Sequence, residues 1–413
     1  MLIGYLQRQK LILMNYKSLS IIVCMIASLG INAQQTNAPK FGKGLFNLIG
    51  KDSTFSMNIS ARMQFLTTSQ WDADNGLSNP TSSALVRRSR LKFSGFAYSP
   101  KLTYKLELGL SNRDIGKASS FTNDAPKYIL DAVVKWNFSG NMVLWLGQTK
   151  LPGNRERVIS SGDLQQVDRS LLNSKFNIDR DMGVQLRHHF KLSDTFIVKE
   201  AIAISQGEGR NVTTGNLGGH QYTARVDFLP FGEFASKGDY RGSDLKFEAN
   251  PKFAFGVTYD FNNDAVKTRS NLGSYMENNT GGFYATDIST LFLDAMYKYK
   301  GFSFMGEYAN RDAADPYAKN EDGSLTGRKV EVGSSLNLQT GYLLSKTVEL
   351  SGRYTNISWD KSITGKGAEN QYTLGLSKYI VGHKLKVQTD VSYTDIGFKT
   401  NQLLYRVQVD IHF

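Results

Sequence analysis

The stretch that decides the fold is the last one, YRVQVDIHF (Tyr405–Phe413). Tyr405, Val407, Val409, Ile411 and Phe413 fall in one phase of a two-residue period, and Arg406, Gln408, Asp410 and His412 fall in the other. That alternation belongs to a strand with one apolar and one wet face. Chain ends normally fray. A patterned strand that runs to the final residue therefore implies a paired end, because an open edge leaves a row of backbone groups unsatisfied.

Working back from that end, the same pattern recurs along the chain. In FSMNISARMQF (Phe55–Phe65) and LTYKLELGL (Leu102–Leu110), apolar and polar positions alternate without a break. QYTARVDF (221–228), KFAFGVTYDF (252–261), KVEVGSSLNLQTGYL (329–343) and HKLKVQTDVSY (383–393) repeat it. About sixteen such segments can be drawn, most near the ~9–11 residues that a tilted strand needs to cross a bilayer.

The joints between the segments take turns in length. Tyr98–Leu102, Phe138–Met142, Lys191–Thr195, Lys298–Phe302, Leu343–Thr347 and Ile380–Lys384 are short. Ser69–Ala84, Asn112–Lys127, Leu151–Asp179, Gln206–Gly219, Asn262–Ile288, Arg311–Gly327 and Ser358–Asn370 are long and polar. A soluble sandwich also alternates, but this parity is that of a transmembrane antiparallel β-barrel with tight periplasmic turns and long outer loops. Aromatics near strand ends, among them Tyr128, Trp136, Tyr299 and Phe302, sit where an interfacial girdle is expected. One connection, Pro230–Pro251, is long yet falls on the periplasmic side.

The front of the chain agrees with export. LSIIVCMIASLGINA (Leu19–Ala33) is preceded by Lys10 and Lys17 and ends on small residues, the pattern of a signal peptide cleaved after Ala33. MNYKSLS makes a more ordinary start at Met14. The expected organisation is a signal peptide at 1–33, a short periplasmic segment at 34–53 and a barrel at 54–413. Cleavage removes Cys24, the single cysteine, so no disulfide framework is expected. It also removes Arg8, Lys10 and Lys17 from a chain with 49 basic and 37 acidic residues and a net charge of +12. The basic balance of an exported protein points away from nucleic acid and toward small anions such as phosphate, or anionic outer-membrane lipid.

Two clusters carry candidate chemistry. In LVRRSRLKFSG, Arg88, Arg90 and Lys92 share the inward phase and Arg87 the opposite one. Three cations at that spacing require an anion, neighbouring carboxylates or water. In KLPGNRERVISSGDLQQVDRS, Pro152 and Gly153 end a strand, and Arg155, Arg157 and Arg169 follow in the third outer loop, 151–179. Folded into the lumen, that loop would set these arginines at a constriction; left outside, they would pair with Glu156, Asp163 and Asp168.

At these residues the chain resembles the phosphate-selective porin O and P family, in a Bacteroidetes-type form. The resemblance rests on FGKGLFNLIGKDSTFSMNISARMQ, RRSRLKFSG, the GQTKLPGNRERVISSG loop with its VDRS, NIDRDMGVQL, and FGEF with GDYRGSDL. It implies a 16-stranded porin of the Gram-negative outer membrane, a homotrimer, passive diffusion of small hydrophilic solutes, and an arginine-rich anion path. It also implies that the strand ending at Phe413 is read by the barrel-assembly machinery.

A barrel enzyme of the lipase or protease type is the alternative class, with a general non-selective porin as the bland one. An enzyme needs a histidine beside a nucleophile or acid at the outer rim. Of the five histidines only His220 falls near that rim, and no catalytic constellation or cofactor motif accompanies it. WDADNG (Trp71–Gly76) offers oxygen ligands, but Ser83 stands where a calcium loop needs glutamate, so it reads as a polar turn.

Overall fold

The computed structural model describes residues 39–74 and 76–413, so the expected signal peptide at 1–33 lies outside the described residues. A short strand β1 (Phe46–Ile49) leads into β2 (Ser56–Asp72), β3 (Ser78–Ala97), β4 (Ser99–Gly109), β5 (Ile129–Ser139) and β6 (Met142–Lys150). Next come β7 (Arg180–Lys191), β8 (Ile197–Ser205), β9 (Gln221–Leu229) and β10 (Lys252–Ala265). The hairpin β11 (Lys267–Arg269) and β12 (Leu272–Tyr275) precedes β13 (Thr286–Tyr299) and β14 (Phe302–Ala313). The hairpin β15 (Tyr317–Lys319) and β16 (Leu325–Lys329) precedes β17 (Gly333–Ser345) and β18 (Val348–Trp359). The chain ends through β19 (Glu369–Tyr379), β20 (Leu385–Ile396) and β21 (Gln402–His412).

Sixteen of these strands form one closed antiparallel barrel, each paired with its neighbour in sequence and β21 paired back onto β2. The seam runs from Arg62↔His412 to Asp72↔Gln402. Beyond it, the Phe413 amide donates to Ala61 O at 2.9 Å, and β1 takes over the free edge of β2 through Phe46↔Ile59 to Ile49↔Ser56. The rings of Phe413 and Phe41 meet edge-on at 6.0 Å. The patterned chain end thus closes the ring and removes the edge that lipid could not satisfy.

The faces are inverted relative to a soluble protein. Leu374, Ile202, Tyr259 and Leu376 stand exposed on the outside, whereas Gln64, Thr258, Asn337 and Thr355 are completely buried inside. Exposed apolar and enclosed polar side chains are what a bilayer solvent selects. Among the described residues no helix is long and apolar enough to cross a membrane.

Three sequence expectations are corrected here. The joint Ser69–Ala84 is mostly strand: β2 and β3 stay zipped as far as Asp72↔Ser78. KVEVGSSLNLQTGYL is not one strand, since Lys329 ends the β15–β16 hairpin and the wall resumes at Gly333, so Lys329 and Glu331 belong to a loop rather than the lumen. Arg87 is not outward. A bulge between Gln64↔Arg88 and Phe65↔Val86 leaves Arg87 unpaired on the strand, and both Arg87 and Arg88 reach the interior, where each bonds Asp168.

Candidate functional site: a lateral channel with a basic wall

Residues 151–179 occupy the lumen and are tied to strands on every side. Loop residues Leu151, Leu172, Phe176 and Ile178 pack with wall residues Phe292, Ala309, Ile357 and Trp359. Further along, Ile159 and Leu164 pack with Leu229, Met296 and Met305. Burying an apolar side chain of this size contributes about 1.5–3 kcal/mol, so two such clusters hold the loop firmly.

Polar ties set its register. The Glu307 carboxylate accepts the Glu156 amide at 2.7 Å and Asn154 Nδ2 at 3.2 Å, at the start of the short helix Arg155–Val158. Glu156 in turn accepts Ser170 Oγ at 2.5 Å, and Ser170 caps the helix Leu171–Phe176. At the loop's far side Arg62 reaches Ser161 Oγ at 2.7 Å, and Lys386 donates to Leu164 O at 2.8 Å. A Cβ at Gly162 would collide with the His412 ring, so that close approach to the closing strand requires glycine.

The long connection between β9 and β10 enters from the opposite end. Lys298 Nζ donates to the carbonyls of Gly238, Arg241 and Ser243 at 2.8–3.0 Å. Ser243 Oγ donates to Glu349 at 2.5 Å, and Phe234 joins the cluster under Ile159 and Leu164. The two inserted segments touch: Gly242 N donates to Asp163 O at 2.9 Å, and Arg155 Nη1 to Asp239 O at 3.1 Å. Together they fill the side of the lumen under β9–β19.

What stays open is a cavity of about 660 Å³ against the inner wall of β3–β7. It reaches from Arg113 and Arg210 in the long loops to Lys237 and Tyr240 in the inserted connection. Thirteen arginines and lysines line it against five carboxylates. Part of that charge is neutralised locally. Arg90 pairs with Glu107 at 3.0 Å and Asp114 at 2.8 Å, Lys105 with Glu107 and Asp131, and Arg180 with Asp131. Other cations meet only neutral acceptors: Lys150 donates to the carbonyls of Arg157, Val158 and Ile159, and Arg169 to those of Glu156 and Ile159. Burial lowers Arg169 to about 10, which leaves it charged at neutral pH.

The sequence candidates separate in this geometry. Arg88, Arg90, Arg157 and Arg169 line the cavity. Arg157 does so while holding Asp179, with Nε to Oδ1 at 2.7 Å. Lys92 continues the same row but is not part of the cavity wall. Arg155 is the correction: it faces away from the cavity, is 2% exposed, and is clamped by Asp227 and Asp294. The helical twist of Arg155–Val158 sends Arg155 and Arg157 to different sides, which alternation counting cannot show. Missed by the sequence reading were Arg87, hidden by its bulge, and Lys150, Arg180 and Arg210, which carried no cluster signature; Arg187 lies on the inward phase of its strand and lines the cavity accordingly.

A closed sixteen-stranded barrel with an apolar exterior and a charged lumen narrowed by an inserted loop defines a porin of the Gram-negative outer membrane. The chain belongs to the family described as Phosphate-selective porin O and P, whose model matches residues 58–402. An uncharacterized protein of Aquifex aeolicus (strain VF5) is 24% identical over 355 residues, covering 79% of this chain and 80% of its own. Among solved structures, the outer-membrane channel DcaP of Acinetobacter baumannii matches with a TM-score of 0.53 at 13% identity, over 88% of this chain and 99% of its own. The anion-selective porin from Comamonas acidovorans matches with a TM-score of 0.52 at 12% identity, over 87% and 100%. At such identities the structures speak for the fold alone.

Proposed function

We propose that this chain is a passive diffusion channel for small hydrophilic anions, with phosphate the leading solute. The carrying observation is the excess of thirteen cations over five carboxylates along one enclosed wall. In a narrow, low-dielectric passage such an excess raises the local concentration of anions and repels cations. Arg169, held by carbonyls, keeps its charge available to a passing ion. The family description favours the same reading.

A general porin is the second reading, favoured by the pairing of Arg90, Lys105 and Arg180 with carboxylates. Planar-bilayer recordings in a KCl gradient discriminate the two. Anion-selective reversal potentials, with current reduced by added phosphate and the reduction weakened in Arg169→Ala, support the proposal. Non-selective current unaffected by phosphate leaves the general porin.

A homotrimer is proposed as well. Strands β8 and β9 have nine residues each, and at a 45° tilt they span roughly 21 Å, short of the roughly 25 Å apolar band of a barrel. A protein neighbour against Ile202, Ile204 and Tyr222 relieves that mismatch. Mass measurement of the detergent-extracted protein tests it.

A further inference from the structure

We propose that the second outer loop, residues 110–128, is a hinged lid over the outer mouth of the channel, caught in its closed position by Phe121 in an aromatic seat of Tyr275 and Phe283. The inference rests on the channel reading above and adds a gate to it.

The seat stands over the lumen and is fixed there. Loop 266–285, between β10 and β13, leans inward: Arg269 Nη1 donates to Ser174 O of the inserted loop at 2.9 Å, and Ser270 Oγ to Asp260 Oδ2, a fully buried carboxylate of β10, at 3.3 Å. Met276, next to Tyr275, is fully buried with Ala265, Ile288, Val330 and Val332. Phe121 stacks on Tyr275 with ring centroids 3.9 Å apart and 23° between planes, and meets Phe283 at 5.7 Å. Tyr275 and Phe283 meet each other at 5.5 Å. Strands β5, β6, β7, β8, β9 and β10 separate the roots of the two loops, and a contact between loops rooted six strands apart on a ring of sixteen crosses the opening instead of following its rim. The near end of this bridge is the top of the cavity, where Arg113 of the lid lines the wall and Arg210 of loop 206–220 donates to Asp114 O.

The lid itself is held lightly. Its tip, 116–127, is knit by its own bonds: Asp124 N donates to Ser119 O at 2.9 Å and Ala125 N to Thr122 O at 3.0 Å. Among the described residues, the hydrogen bonds between this tip and the rest of the protein converge on Phe121 O, from Thr213 N at 2.9 Å and Thr213 Oγ1 at 3.4 Å. The two legs of the loop close up at a neck, since a Cβ on Gly116 would lie 2.9 Å from Lys127 Cδ. A tip rigid in itself, on a narrow neck, swings as a unit. Each of the three rings is only half-buried, and aromatic pairs add little beyond the area they cover. The catch is therefore weak beside the two buried clusters that hold loop 151–179. Such a balance leaves the open state populated on the order of 0.1–10% of the time. Closed, the lid restricts entry to small ions. Open, it admits larger solutes and leaves the constriction arginines in place.

The chain's one cysteine, Cys24, falls in the expected signal peptide, so an introduced pair reacts alone. Phe121→Cys with Tyr275→Cys removes the catch and supplies two thiols that a short, reversible bis-thiol cross-linker joins. Single-channel currents of the purified protein are recorded before linking, after linking and after reduction. The lid predicts brief wild-type steps to an upper level about 1.5- to 2-fold above the main conductance. That level is held steadily in Phe121→Ala and in the unlinked pair, is lost on linking and returns on reduction. Uncharged polyethylene glycols of graded size, added on the loop side, are expected to enter at larger sizes in Phe121→Ala, with an unchanged anion-to-cation permeability ratio. Trypsin cleavage at Lys127 is expected to quicken about tenfold in Phe121→Ala, as for loss of its aromatic contacts. A heat-modifiable gel band shows that each variant is a folded barrel, and the linking cycle makes each channel its own control. Conductance and polymer size limit that stay constant through the linking cycle and in Phe121→Ala overturn the lid, even where cleavage quickens, and leave the channel reading intact. Absence of wild-type current overturns the channel reading and the gate with it.

Discussion

Arg155 donates from Nε to Asp294 Oδ1 and from Nη2 to Asp227 Oδ1, both at 2.7 Å, and all three side chains are buried. An arginine of the inserted loop thus serves as a fastener to β9 and β13 rather than as part of the ion path. Removing it leaves carboxylates buried without their partner, a loss of about 3–5 kcal/mol when one member of such a pair is deleted; Arg225, which also reaches both carboxylates, reduces that figure. Arg155→Ala is expected to give larger, noisier single-channel currents with nearly unchanged anion preference. Arg169→Ala is expected to do the reverse, lowering the anion-to-cation permeability ratio at similar conductance. Recording both variants in one KCl gradient checks the contrast.

The inserted connection is held by Lys298, whose three bonds all go to its backbone carbonyls. Lys298→Met keeps the side chain's length and removes the donors. Without them, the segment around Gly238–Ser243 loosens and the lumen widens. Conductance is expected to rise roughly twofold, because ion flow scales with the open cross-section of the narrowest part. Exclusion of uncharged sugars of graded size from the pore measures the widening directly.

At the long-loop end, Glu208 is 2% exposed and accepts the amides of Leu217 and Gly218 at 3.1 Å each. Burial, with the Asp181 charge adding to it, pushes its carboxyl up to about 7. A carboxyl with a raised folded value holds its proton more tightly when the loop is folded. Its contribution to loop stability is therefore fully present below the ordinary value of 4.5 and is lost as pH rises through about 7. Protease cleavage at Arg210, measured relative to Glu208→Gln at each pH, is expected to accelerate between about pH 5 and about pH 8. A flat ratio across that window refutes the assignment.

Phe413 closes the seam through its amide on Ala61 and its ring against Phe41. Deleting it frees the Ala61 carbonyl at the barrel's edge and removes the apolar cap of β21. The yield of heat-modifiable barrel in the outer membrane is expected to fall severalfold, by analogy with other costs of exposing a sheet edge. Phe413→Tyr, which keeps the ring and the amide, is expected to restore it. Pulse-labelling with gel-shift detection follows both.

The sequence by itself determined the strands, their even number, which face meets lipid, and that the chain end must be paired. Those properties follow from a two-residue period and from joint length, both local. Only the tertiary structure decided the site. One bulged residue turns Arg87 into the lumen against its phase. A single turn of helix sends Arg155 to Asp294 and Arg157 to Asp179. Which cations remain free to bind an anion depends on which carboxylates the closed barrel and its two inserted segments bring within reach, and such pairings span up to 348 positions of chain, as between Arg62 and Asp410. No local pattern encodes a separation of that length, because electrostatic partners are chosen by proximity in space, and the closure of the ring creates that proximity.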